Sequence, residues 1–162
     1  MPTLSKEEMN WISLLLEKTG AMAKDCIIED ERIIFLLNKG DTGRVIGKNG
    51  QNIKQLRNSF GKEVQVVEYG DVVEKLAVNS IAPVRVDNVV FRKDKNGKSS
   101  IVMFVQPKDR ARAIGKNGST LKRSKAILKR HFNIDNVFIN VATQKSKSKT
   151  ENIESKENLQ TN

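Results

Sequence analysis

Cysteine, histidine, tryptophan and tyrosine occur once each in this chain of 162 residues, and aromatic residues make up 5% of it. A single thiol, Cys26, excludes an intrachain disulfide and any cysteine-based metal site, and a reducing cytosol is the expected compartment. His131 and Cys26 stand far apart in the chain, so they suggest no nucleophile–base pair, and no ligand spacing for a metal is present. No apolar run approaches the length of a membrane span. Met1 to Asn10 is polar and mixed in charge, without the basic-then-apolar order of a secretory signal. The expectation is a cytoplasmic protein with no membrane partner, cofactor, metal or catalytic residue. Trp11 then reads as a core anchor of the first helix, Cys26 as a small buried hydrophobe, and His131 as a side chain meeting a helix dipole.

What is abundant is positive charge. The formal net charge is +10 and the pI is about 9.8, which favours a polyanionic partner. The excess is uneven: residues 1–70 hold 10 Lys/Arg against 10 Asp/Glu, whereas residues 71–142 hold 15 against 6. Hydrophobic residues at 38% and charged residues at 30% suit a globular domain with a generous polar surface.

The strongest signal is a repeat. Ile46-Gly47-Lys48-Asn49-Gly50 returns as Ile114-Gly115-Lys116-Asn117-Gly118. Two glycines around a basic and an amide residue make a tight loop with an uncovered backbone. At the start of a helix such a loop offers amides and a positive dipole end to an anion. The Gly-x-x-x-x-Gly-Lys-Ser/Thr spacing of a nucleotide-hydrolase loop is absent, because Asn49 and Asn117 follow the lysines.

The elements around the two loops also repeat. Ser5 with Glu8 forms a capping box ahead of a helix carrying Trp11, Ile12, Leu15 and Leu16, stopped at Gly20. Lys24–Ile28 and Arg32–Leu37 read as antiparallel strands. Asp41 caps a brief helix into the first loop; a helix with Ile53, Leu56 and Phe60 on one face follows, and Glu63–Tyr69 is a third strand. The order restarts with a helix over Asp71–Ile81, strands Val84–Arg92 and Ser100–Val105 around an Asn-Gly turn, and a short helix from Pro107. The second loop, a helix from Ser119 to His131 and a strand over Asn136–Val141 complete it. Units of about 70 residues are small for isolated stability, so the two are expected to pack together. Residues 143–162 are polar and read as a disordered tail.

A Gly-x-x-Gly loop between two helices, with an isoleucine before it, resembles the KH RNA-binding domain in its type II element order. Two abutted copies, the first containing Gly43-Arg44-Val45-Ile46-Gly47-Lys48-Asn49-Gly50-Gln51-Asn52-Ile53, are similar to the NusA family of transcription factors in its short archaeal form. The resemblance implies an α+β fold of two tandem type II KH domains, residues 1–70 and 71–142, each a three-stranded sheet covered by three helices, packed as one unit. It implies single-stranded RNA held along an extended path, a role in pausing, termination or antitermination, RNA polymerase or other transcription factors as partners, and a monomer. Bacterial members place a polymerase-binding domain and an S1 domain ahead of the pair, and the chain as given has no room for them.

Carried onto this sequence, Gly47 and Gly50, with Gly115 and Gly118, bracket each clamp and donate backbone N–H groups to successive phosphates. Lys48 and Lys116 add charge, Asn49 and Asn117 add hydrogen bonds, and Ile46 and Ile114 floor the groove under the bases. Arg44, Lys54 and Arg57, with Arg112, Lys122 and Lys125, flank the loops at corresponding positions; any one alone reads as a solvated charge, and the set reads as an electrostatic track. Ser124 stands where Leu56 stands in the first repeat, so the two helices should bury different faces. A KH protein of ribosome assembly or rRNA processing, and a protein-interaction adaptor on a KH scaffold, are the competing readings.

Overall fold

Every residue of the strand Arg32–Leu37 (β2) is buried, although a strand with one wet face would bury only alternate residues. The computed structural model, which describes residues 2–143, explains why. β2 is the middle strand of a three-stranded sheet, antiparallel to Ala23–Ile28 (β1) and parallel to Glu63–Glu68 (β3). One face carries Ile33, Phe35, Leu37 and Val64 against Ile12 and Leu15 of the helix Lys6–Thr19 (α1) and Ile53, Leu56 and Phe60 of Gln51–Phe60 (α3). Trp11 packs there with its ring 4.9 Å from that of Phe60. The opposite face, with Ile34, Leu36 and Val67, shares a core with Leu76, Ala77 and Ile81 around Val73–Ser80 (α4) and with Ile127 and Leu128 of Ser119–Phe132 (α6). The first sheet is thus sandwiched between its own helices and those of the second unit.

The second unit repeats the topology. Val86–Lys93 (β4) pairs antiparallel with Ser99–Val105 (β5), which pairs parallel with Asn136–Val141 (β6). Parallel neighbours need a crossover. In each unit that crossover is the short helix, loop and long helix: Thr42–Ile46 (α2) to α3, and Arg110–Ile114 (α5) to α6. The loops therefore sit at the turn of each crossover, beside the edge strands β3 and β6.

Several local expectations change on folding. The Ser5 hydroxyl accepts from the Glu8 amide at 3.1 Å, but the Glu8 carboxylate does not return to close the box. It pairs with Arg130 Nη2 at 2.6 Å across the two units, where a charged partner outweighs a local amide. Asp41 precedes α2 without a side-chain capping bond, and α4 begins at Val73 rather than Asp71. His131 does more than meet a dipole: its Nε2–H donates to Asp25 Oδ2 at 2.7 Å. Ser124 is buried and bonded to Ser80 at 2.6 Å, a small-residue contact between α6 and α4. The tail read over 143–162 lies outside the described residues from 144 onward.

Candidate nucleic-acid interface

The two loops have nearly one backbone conformation. Gly47 has φ 75° and ψ 174°, Asn49 φ 56° and ψ 25°, and Gly50 φ 73° and ψ 16°. Gly115, Asn117 and Gly118 take φ 80°, 56° and 74° with ψ 167°, 27° and 16°. The first glycine of each loop is in a region open essentially to glycine alone, and asparagine is the residue after glycine that best tolerates the left-handed angle. A Cβ on Gly47 would lie 2.6 Å from the Asn52 side chain, and one on Gly115 would lie 2.7 Å from the Thr120 backbone nitrogen. At Gly50 and Gly118 the nearest atom would be 4.0 Å away, so there the constraint is conformational and the space beside the loop is open.

The glycine amides face inward in both loops. Gly47 N donates to Gly43 O at 2.9 Å and Gly50 N to Gly47 O at 3.1 Å; Gly115 N and Gly118 N do the same with Ala111 O and Gly115 O. Tight turning consumes these donors. Lys48, Asn49, Lys116 and Asn117 project from the loops and are exposed. Asn52, which the sequence did not single out, donates from Nδ2 to Arg44 O at 3.0 Å and ties α3 to α2.

The flanking charges are less uniform than their spacing suggests. Arg44, Lys54, Lys122 and Lys125 are exposed, and Arg112 is exposed but 3.3 Å from Asp109 Oδ1. Arg57 is half-buried and ion-paired to Glu63 at 2.8 Å, so it braces α3 against β3 instead of standing as a ready cation. Ile46 is 37% exposed beside the first loop, whereas Ile114 packs partly against the core.

The second loop does not face open solvent on all sides. Lys116, Asn117, Ser119 and Lys122 form one wall of a cleft of about 490 Å³ whose other wall belongs to the first unit: Glu29, Asp30, Glu31, Arg32, Glu63 and Gln65. A smaller cleft of about 300 Å³ lies by the first loop, lined by Lys18, Arg44, Asn52 and Gln55 among others. At the seam, Arg123 donates from Nε to Ser80 O at 3.0 Å and from Nη1 to Gln65 Oε1 at 3.1 Å. Burial, together with the nearby Arg32 charge, lowers the pKa of its guanidinium.

A second seam contact holds the units at the opposite end of α6. Asp25, 1% exposed, accepts from Arg130 Nε at 2.6 Å and Nη2 at 2.9 Å, as well as from His131. Burial alone would push this carboxyl up. The bonds from His131, Arg130 and the Cys26 amide, with the Arg130 charge, outweigh that and hold it below its ordinary 3.8. Cys26 beside it is pushed up to about 12, first by burial and then by the Glu8 and Asp25 charges. Among the described residues there is no cluster of His, Cys, Asp or Glu fit for a metal, and no helix long and apolar enough to cross a membrane.

Known proteins share this pattern. The KH domain family model matches residues 11–96, which take in the first loop and end before the second. The probable transcription termination protein NusA of Methanocaldococcus jannaschii is 35% identical over 147 residues, covering 90% of this chain and 79% of that protein. Its namesake from Halococcus morrhuae is 33% identical over 83% of this chain and 96% of its own length. The crystal structure of APE1850 superposes with a TM-score of 0.76 at 35% identity, covering 85% of this chain and all of that one. On the matched KH domain, and on relatives at this identity over most of both chains, the protein belongs to the archaeal NusA-like family of KH-domain proteins.

Proposed function

We propose that both units are type II KH domains and that the protein is a single-stranded RNA-binding transcription factor of NusA type, acting in elongation or termination without catalysing a reaction. The observation that carries this reading is the conformational identity of the two loops: the same five residues adopt the same glycine-requiring angles at the same point of the same crossover. A structural turn accounts for the asparagine at its positive φ but asks for no particular residue at the exposed lysine beside it. Each loop directs a lysine and an amide outward, and the amides of Lys48 and Asn49, first in their turn, replace the glycine amides as donors to a phosphate. Lys54, Lys122, Lys125, Arg44 and Arg112 extend the positive surface to either side. Ile46 and Ile114 offer apolar contact to the bases.

The test is equilibrium binding of fluorescent single-stranded RNA by a variant with Lys48, Asn49, Lys116 and Asn117 all changed to Asp. RNA binding is expected to disappear while the circular dichroism spectrum stays unchanged. Wild-type affinity in that variant would refute the clamp and favour an adaptor. Crosslinking in cells separates the cellular roles: enrichment on nascent transcripts supports a transcription factor, and enrichment only on rRNA precursors supports ribosome assembly.

A further inference from the structure

Among the described residues, the stacking of the two units leaves one sheet face without a covering helix. In the first sheet the face carrying Ile34, Leu36, Gln65 and Val67 is closed by α4 and α6. The register of the second sheet puts Val102 beside Phe138 and Phe104 beside Asn140 at the corresponding places. The main core takes Ile101, Met103, Val137 and Ile139 from the other face; on this face Val102 is buried between its neighbours at 7% exposure and Phe104 is half-buried. Phe138 is 49% exposed, and Asn140 is exposed on the same strand.

The side chains differ in kind as well as in exposure. Where the first sheet meets protein helices, the central pair on β2 is aliphatic, Ile34 and Leu36. In the second sheet the same positions hold Val102 and Phe104, and the edge strand replaces Gln65 and Val67 with Phe138 and Asn140. Aromatic rings flanked by amides on an open sheet suit stacking and edge contacts with unpaired bases. The charge agrees. The neighbouring hairpin carries Arg92, Lys93, Lys95 and Lys98, all exposed, and the three strands contain a single carboxylate, Asp87, which is taken up by the Gln106 amide. A second copy seated here would bring together two units of 15 cationic and 6 anionic residues each, which opposes self-association.

We propose that the outer face of the second sheet, centred on Phe138, is a base-stacking surface for single-stranded RNA, reached by the strand after it passes the second loop around the edge strand β6. The proposal rests on the RNA-binding reading above. It is tested with the full chain and fluorescent oligouridines of increasing length. Phe138→Leu keeps apolar bulk without a π-face, whereas Phe138→Tyr keeps the ring. For oligomers long enough to pass the second loop, Phe138→Leu is expected to weaken binding at least about fivefold, and Phe138→Tyr to stay within about twofold of wild type. Short oligomers should not distinguish them, and 4-thiouridine placed beyond the loop-bound nucleotides should crosslink to the β6 peptide of the unaltered chain.

Wild-type affinity in Phe138→Leu, with crosslinks confined to the loops, overturns this surface while leaving the clamps standing. A sedimenting dimer that dissociates in Phe138→Leu assigns the face to a second copy and overturns it equally. Loss of RNA binding only in the Lys-Asn loop variant separates the two levels; an unaltered chain that binds no RNA overturns both.

Discussion

At the residue scale the two glycines of each loop are held for different reasons. Gly115 combines a disallowed angle for other residues with a close backbone neighbour, Thr120 N. Gly118 has only the left-handed angle and open space around it. Gly115→Ala is therefore expected to destabilise the protein by about 1–3 kcal/mol, and Gly118→Ala by about 1–2 kcal/mol. Urea denaturation checks the order, and a larger loss for Gly118→Ala would contradict it. Gly47→Ala should cost about as much as Gly115→Ala, because a Cβ would meet Asn52 Cβ at 2.9 Å and displace the amide that bonds Arg44 O. Asn49 and Asn117 are the residues whose identity depends on both the backbone and the partner, since each tolerates a positive φ and still presents an amide outward.

At the element scale, α3 and α6 are equivalent in position but not in what they bury. α3 covers its own sheet with Ile53, Leu56 and Phe60. α6 also meets α4 and the first sheet, and Ser124 lets α4 approach by exchanging a hydrogen bond with Ser80. Restoring the first repeat's residue with Ser124→Leu is expected to destabilise by about 1–3 kcal/mol through overpacking, and by more where the Ser80 hydroxyl loses its partner. A melting temperature at or above that of wild type would refute this account. β2 shows the converse. Its unbroken apolar run is required because α1 and α3 cover one face and α4 and α6 the other, so its burial couples the stabilities of the two units.

On the scale of the whole molecule, the seam around Asp25 and Arg130 ties the first unit to the C-terminal end of α6. The Asp25 carboxyl is held below 3.8 when folded, so its contribution is present above the unfolded value and is lost as pH falls through the folded one. Acid should therefore weaken the protein through this site. Asp25→Asn is expected to lower stability at neutral pH and to flatten the acid limb of melting temperature against pH; an equally steep limb would exclude the site as its source. The tertiary structure also qualifies the charge count. The second loop lies in the cationic unit, yet Asp30 and Glu31 of the neutral unit line its cleft. Changing them to Asn and Gln, while leaving Glu29 to hold Arg32, is expected to tighten RNA binding about two- to fivefold at low salt, with the gain vanishing as salt rises. Unchanged affinity would show that the strand does not pass this wall.

Local order was legible in the sequence wherever short-range chemistry decides it: the helix from Ser5 to Gly20, the hairpins, and the two Ile-Gly-Lys-Asn-Gly loops with their crossover helices. These depend on caps, turn residues and alternation, which are written in neighbouring positions. Contacts between distant positions were not legible. Glu8 leaves its capping box for Arg130, and Asp25 takes up Arg130 and His131, because these stronger partners come within reach only when the second unit packs on the first. The loops are the sharpest instance. Sequence alone determined that there are two of them and that their backbones turn alike. Only packing of one unit's helices onto the other's sheet decided that the second loop faces an acidic wall and that, among the described residues, one sheet face has no covering helix, because burial and electrostatic neighbours are properties of the folded surface rather than of the chain.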